Sequence, residues 1–134
     1  MSSFKEEIKS KINRDDLSSA ADFLKDVCYG LSSEAGWWDD CNKNDPNVKA
    51  AKMMLIVSEV SEALEGMRKD IMDDHLPHRK MEEVEMADAV IRIFDYAGAM
   101  GLDIGGAIAD KLLYNCTRKD HQKGSRESSG GKKI

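Results

Sequence analysis

Four acidic residues fall into two pairs of identical spacing, Glu59/Glu62 and Glu85/Asp88. Residues three apart are neighbours on a helix, so each pair sets two carboxylates side by side. Projected at about 100° per residue, Glu59 leaves the polar face of Ser58, Ser61, Glu65, Arg68 and Lys69. It points with Lys52, Leu55, Ala63 and Gly66, and Glu62 follows one turn on, at the boundary. In the second segment, Val84, Ala87, Ile91, Phe94 and Gly98 form an apolar stripe. Asp88 and Asp95 lie at its edge, Glu85 one turn before Asp88, and Arg92 between the acids, placed to neutralise one. Like charges near a core edge are unfavourable without a counter-ion. If the two segments pack antiparallel, all four carboxylates converge. Hard oxygen donors without His or Cys favour Mg²⁺ or Mn²⁺ over Zn²⁺. One such pair is ordinarily surface decoration; two pairs, both displaced toward a core, are a stronger signal.

A second constellation is basic. Lys111, Asn115 and Arg118 stand at i, i+4 and i+7 and share a helix face. Two cations with an amide between them suit an oligophosphate, although alone they read as a solvated stripe. Trp37 and Trp38 offer stacking faces for a base, each worth roughly 1–3 kcal/mol; packing beneath the loop or at a subunit interface is the even alternative. Asp39 and Asp40 beside them can accept from a guanine edge, which makes dGTP or GTP the leading substrate. His75 and His78 flank Pro77 without a third ligand and read as a solvated loop. Asp95 reads as structural, pairing across helices or with Arg92, and the methionines as core packing.

These residues need helices to hold them. Apolar residues recur at three- and four-residue steps, and period-2 alternation is absent. The spacing predicts a short segment around Phe4, Ile8 and Ile12, then a helix capped by Asp15 or Asp16 that fades near Glu34. A long helix follows from Pro46 or Asn47 to about Ile71, with Asp45 as cap and Met53, Val57, Val60, Leu64 and Met67 as its core stripe. The next spans about Lys80 to Met100 and stops at Gly101; the last, capped by Asp103, runs from Ile104 to about Arg118. The expectation is an all-α, four-helix-bundle protein, one domain over residues 1–118, with 1–13 as an N-terminal helical arm. The remainder, 119–134, is polar, Gly/Ser-rich and expected to be flexible.

Composition narrows the function. The 134 residues carry a net charge of −5, divided into −8 over residues 1–118 and +3 over 119–134. An acidic body is a poor binder of nucleic-acid polymers. No apolar run reaches the roughly 20 residues of a membrane-spanning helix. Three widely spaced cysteines argue against a disulfide scaffold. With no apolar leader in MSSFKEEIKSKI, the expected location is the cytoplasm, or the host cytoplasm for a phage protein.

Glu59-Val-Ser-Glu62, 22 intervening residues and Glu85-Met-Ala-Asp88 resemble the ExxE…ExxD signature of MazG-like nucleoside triphosphate pyrophosphohydrolases. Ser58–Glu65, Ala87–Gly98, Lys111–Arg118 and Gly36-Trp37-Trp38 are similar to that family's small phage and bacterial members, in the same order. The match covers roughly residues 17 to 121. The resemblance implies a helical homodimer or homotetramer that hydrolyses a (d)NTP between the α- and β-phosphates. It implies Glu59, Glu62, Glu85 and Asp88 as ligands to Mg²⁺, with more than one ion per site and Mn²⁺ as a substitute. Either Glu59 or Glu62 would orient the water. Lys111, Asn115 and Arg118, with Tyr114 and Lys52, would hold the phosphates. The sequence departs from the pattern after Arg118, where a Pro and a compact His-Gly-Lys tail are replaced by Lys119-Asp120-His121-Gln122-Lys123-Gly124. The alternatives are a dCTP- or dUTP-directed housecleaning enzyme and a non-catalytic helical module whose acidic face binds a basic partner.

Overall fold

A computed structural model of the chain describes residues 4–118 together with Gly124, Glu127 and Gly130. Helix α1 spans Phe4–Lys11, α2 Arg14–Glu34, α3 Pro46–Lys69, α4 Met81–Met100 and α5 Ile104–Thr117. Among the described residues the one pairing of extended backbone is an isolated bridge between Met72 and Lys80. The protein is all-α, as the periodicity requires. The rest of 119–134, expected to be a flexible tail, lies outside the described residues.

The helix starts follow local chemistry. Asp45 accepts from the Asn47 amide at 2.8 Å, with Pro46 at the first helical position, where its missing N–H costs nothing. Asp103 caps α5 by accepting from the Gly106 amide at 3.0 Å. For α2 the cap is neither Asp15 nor Asp16. The Asn13 carboxamide oxygen accepts from Asp15 N at 2.8 Å and from Asp16 N at 3.4 Å. Asn13 precedes the first turn, where a cap must stand; the two aspartates instead place negative charge at the positive end of the helix. Helices α3 and α4 end on left-handed residues, Asp70 and Gly101.

The contacts divide the chain into two compact units, Phe23–Leu102 and Met1–Asp22 with Asp103–Ile134, so that α2 contributes to both. In the first unit α3 and α4 are antiparallel partners. Gly66, near the end of α3, meets Met81 at the start of α4, while Glu59, two turns earlier, meets Arg92. The faces in contact are small-residue faces: Ala63 and Gly66 are buried on α3, and Ala89 and Ala97 flank Phe94 on α4. A Cβ on Gly66 would stand 2.8 Å from Met81 Cβ and 3.0 Å from the Glu82 amide, so glycine sets how closely the helices approach. The connection between them is pinned by buried Asp73, whose Oδ2 accepts from the amides of His75 at 2.9 Å and Leu76 at 2.7 Å.

The large apolar residues of α3 do not form this core. Met53, Val57, Val60, Leu64 and Met67 are about half exposed, between 48% and 53%. On α4, Ile91 is exposed as well, and Met54 and Met86 join the exposed methionines. Helix α3 has two candidate faces. The one bearing Ala63 and Gly66 permits backbone approach to α4, and it carries Glu59 inward with it.

In the second unit, Arg14 of α2 pairs with Asp110 of α5 at 2.7 Å. Gly105 and Gly106 are buried, and Ala109 is fully buried. A Cβ on Gly105 would lie 2.6 Å from the Ser18 carbonyl oxygen. Phe4 and Ile8 on α1 are exposed. No helix among the described residues is long and apolar enough to cross a membrane.

Candidate metal centre

Three of the four paired acids meet where α3 and α4 cross. Glu59, Glu85 and Asp88 each offer a carboxylate oxygen, and these oxygens lie within 4.8 Å of one another. The sequence places them there: Glu59 shares the buried face of α3 with Ala63 and Gly66, and Glu85 and Asp88 lie one turn apart on the face of α4 that turns toward it. Glu59 is buried at 7%, the other two half-buried. Glu62 is exposed and stands outside the trio, yet its charge acts on both Glu85 and Asp88.

The electrostatics of the trio are strained. Burial, then a hydrogen bond to Glu59, then the charges of Glu62, Glu59 and Asp88 push the Glu85 carboxyl up to about 7. Asp88 is also raised, by burial and by Glu59, with smaller contributions from Asp73 and Glu62, against the opposing charge of Arg92. Arg92 Nε donates to Glu59 Oε1 at 2.5 Å. One guanidinium thus faces several carboxyl groups, and the remaining repulsion is what a hard dication relieves. The donor set fits Mg²⁺ or Mn²⁺: carboxylate oxygens, clustered, with no thiol or imidazole among them.

Arg92 also reaches Trp37, with its guanidinium carbon 5.7 Å from the ring centroid. Trp37 is 55% exposed and lines a cavity of about 270 Å³ with Ser32, Asp88, Ile91, Arg92 and Asp95. Trp38 has the other fate weighed for the pair. It is buried, and its indole N–H donates to Asp95 Oδ1 at 2.8 Å, beside the Ser32 hydroxyl at 2.6 Å. Asp95 therefore pairs across helices, and its partners are Ser32 and Trp38 rather than Arg92. Asp39 is exposed and is not among the cavity-lining residues; the carboxylates on that wall are Asp88 and Asp95.

Lys52 lies with its ammonium 4.3 Å from the Trp38 ring centroid and donates to the Trp37 carbonyl at 3.2 Å. Lys43, which no motif marks, stands 5.7 Å from the same ring and donates to Tyr29 Oη at 2.7 Å. Its signal was weak, a single lysine in a polar loop. Lys111, Tyr114, Asn115 and Arg118 belong to the other unit. There Lys111 and Arg118 lie 5.0 Å and 5.7 Å from the Tyr114 ring centroid. Asn115 Oδ1 is buried without a hydrogen-bond partner among the described residues. Lys111 edges an open apolar hollow formed with Ile104, Ala107, Ile108 and Leu112. His75 and His78 are exposed, and none of the three cysteines is joined in a disulfide among the described residues.

No family model matches the chain, and neither a curated protein nor a solved structure matches it.

Proposed function

We propose that the protein is a Mg²⁺-dependent nucleoside triphosphate pyrophosphohydrolase, converting a (d)NTP and water to a (d)NMP and diphosphate. The observation that carries this reading is the meeting of Glu59, Glu85 and Asp88 within 4.8 Å, from two helices, with Glu62 beside them. The ordered motifs that resemble MazG-like enzymes support it.

In the reaction, the oxygen of water bonds to the α-phosphorus, and the bond from that phosphorus to the oxygen bridging the α- and β-phosphates breaks. One water proton is lost, and diphosphate departs with the electron pair. Bound at the trio, Mg²⁺ supplies charge neutralisation and a more acidic water. Glu59, Glu85 and Asp88 would hold the ion. Arg92 fixes the Glu59 carboxylate through its Nε–H, which leaves less rotamer freedom to lose on binding. Glu62, outside the trio, is the carboxylate left to orient the water and accept its proton. Lys52 offers a cation for the phosphates from within the same unit. Lys111, Tyr114, Asn115 and Arg118 are carried as phosphate ligands by the resemblance. A non-catalytic module gains less support, because a partner-binding acidic face has no need to bury Glu59.

The reading includes a homo-oligomer. Met53, Val57, Val60, Leu64 and Met67 alternate at four- and three-residue steps along an exposed face of α3, the spacing of a helix–helix seam.

The test is diphosphate release by the purified protein with Mg²⁺ and each common (d)NTP. Asp88→Asn and Glu85→Gln are expected to lower it by about two orders of magnitude or more, with helicity by circular dichroism retained. Release of orthophosphate alone, or undiminished turnover in both variants, overturns the proposal.

A further inference from the structure

The cavity beside the trio has a composition of its own. One wall is the exposed face of Trp37, another the aliphatic side chain of Ile91, and the polar lining comes from Ser32, Asp88, Arg92 and Asp95. At about 270 Å³ it falls just below the roughly 300–1,000 Å³ of small-molecule pockets, a size for one heteroaromatic ring rather than a whole nucleotide. Asp88 belongs to both the cavity wall and the trio, so a ring held here has its substituents beside the candidate metal ligands.

The hydrogen bonds already made decide which ring edge the cavity accepts. Asp95 Oδ1 receives two donors, Ser32 Oγ and Trp38 Nε1, which fixes the carboxylate and fills that oxygen. Its other oxygen keeps its acceptor capacity. The Ser32 proton is committed to Asp95, so the hydroxyl meets a ligand as an acceptor. Arg92 uses Nε on Glu59 and keeps its terminal N–H groups as donors. Apart from Asp88, which is shared with the trio, the lining therefore presents two acceptors and one donor group around an aromatic face. Guanine supplies the complement: N1–H and N2–H₂ as adjacent donors, and O6 as an acceptor. Adenine and cytosine offer one exocyclic amine beside ring acceptors; uracil offers one N–H between two carbonyls. Each of these leaves an acceptor of the lining unmatched, and unmatched buried polar groups discriminate more strongly than lost apolar contact.

We infer that the Ser32–Trp37–Arg92–Asp95 cavity is a guanine-reading subsite, with Asp95 as the residue that determines base specificity. The inference rests on the proposal that the site takes a nucleotide, and it moves base recognition from Asp39 to Asp95.

The experiment separates the two readings by measuring binding without turnover. The full chain is titrated with GMP, IMP, AMP, CMP and UMP, without metal, by calorimetry and by quenching of Trp37 fluorescence. GMP is expected to bind at least tenfold more tightly than AMP, CMP or UMP, with IMP intermediate because it lacks the 2-amino donor. Asp95→Asn keeps an acceptor for Ser32 and Trp38 but turns an amide N–H₂ toward the ligand, and is expected to erase the preference for GMP. The wild-type series alone tests the inference even if that variant fails to fold. Equal affinities across the series overturn it, as does a preference unchanged in a folded Asp95→Asn variant. Selective GMP binding with no diphosphate release from GTP or dGTP upholds the subsite and overturns the catalytic reading. Diphosphate release from every (d)NTP at equal kcat/KM does the reverse.

Discussion

At the scale of single residues, Glu85 makes the trio measurable. Its carboxyl moves from an ordinary 4.5 to about 7 in the folded chain. Between those values the folded chain binds more protons than the unfolded chain, so stability falls as pH rises. The contribution is fully present below about 4.5 and lost above about 7. A cation must displace that proton, so its binding improves in the opposite direction. The Tm of the ion-free protein is therefore expected to decline from pH 5 to pH 8, and Mn²⁺ is expected to raise Tm more at pH 8 than at pH 5.5. Glu85→Gln removes the titrating group and the buried repulsion together. At pH 8 it should raise the ion-free Tm by about 4 °C, roughly 1 kcal/mol for a chain of this length and a partly exposed group, while abolishing most of the Mn²⁺ shift. Differential scanning calorimetry across pH checks both signs. A Tm that climbs from pH 5 to pH 8 in the wild type and is unmoved in the variant contradicts this account of the trio. Arg92 gives a second residue-level measurement. Its loss leaves Glu59 buried with a repulsive neighbour and no cation, so Arg92→Gln is expected to cost about 2 kcal/mol in denaturant unfolding at neutral pH.

At the scale of elements, the α3–α4 pair holds the carboxylates at their separation. Gly66 allows α4 to start against α3, and Glu85 follows Met81 by one turn. Gly66→Ala places a methyl group 2.8 Å from Met81 Cβ and 3.0 Å from the Glu82 amide nitrogen, so backbone as well as side chain must shift. The expected cost is roughly 1–3 kcal/mol, with weaker Mn²⁺ binding than a mere loss of stability produces, because the opening lies one turn from Glu85. Isothermal titration at a temperature where the variant remains folded distinguishes the two effects. The same helices show how far the sequence could be read. Helix existence, the Asp45–Pro46 start, the Gly101 stop and the Asp103 cap all follow from local chemistry, and each stands in the structure. The inward placement of Glu59 was legible too, because the projection set it with Ala63 and Gly66. What was not legible is which apolar face of α3 packs within the chain. Hydrophobicity favours Met53, Val57, Val60, Leu64 and Met67; close backbone approach favours Ala63 and Gly66, and approach wins. The two tryptophans illustrate the same limit. Adjacent and chemically identical, they separate into a buried hydrogen-bond donor and an exposed cavity wall, and only the position of Asp95 decides which is which.

At the scale of the whole molecule, the net charge of −5 discourages binding to a polyanion but does not exclude a nucleotide, since a dication at the trio would reverse the local field. The surface carries a second consequence. The stripe from Met53 to Met67 leaves five large apolar side chains about half exposed on one helix, and a contiguous patch of that kind ordinarily meets a partner. Its 4-3-4-3 spacing is that of two helices packed at a shallow angle, so a second copy of α3 satisfies it with the same residues on both sides. The wild-type chain is accordingly expected to sediment as a dimer or larger assembly at micromolar concentration. Val60→Glu, at the centre of the stripe and 48% exposed, should shift it to monomer while leaving the helices folded. Sedimentation equilibrium measures the assembly, and far-ultraviolet circular dichroism establishes that the helices persist. A monomeric wild type would remove the homo-oligomer from the proposal; a dimer indifferent to Val60→Glu would place the interface elsewhere. Where dissociation occurs and diphosphate release survives, the trio is complete within one chain. Where dissociation abolishes release from a folded monomer, the oligomer supplies part of the site.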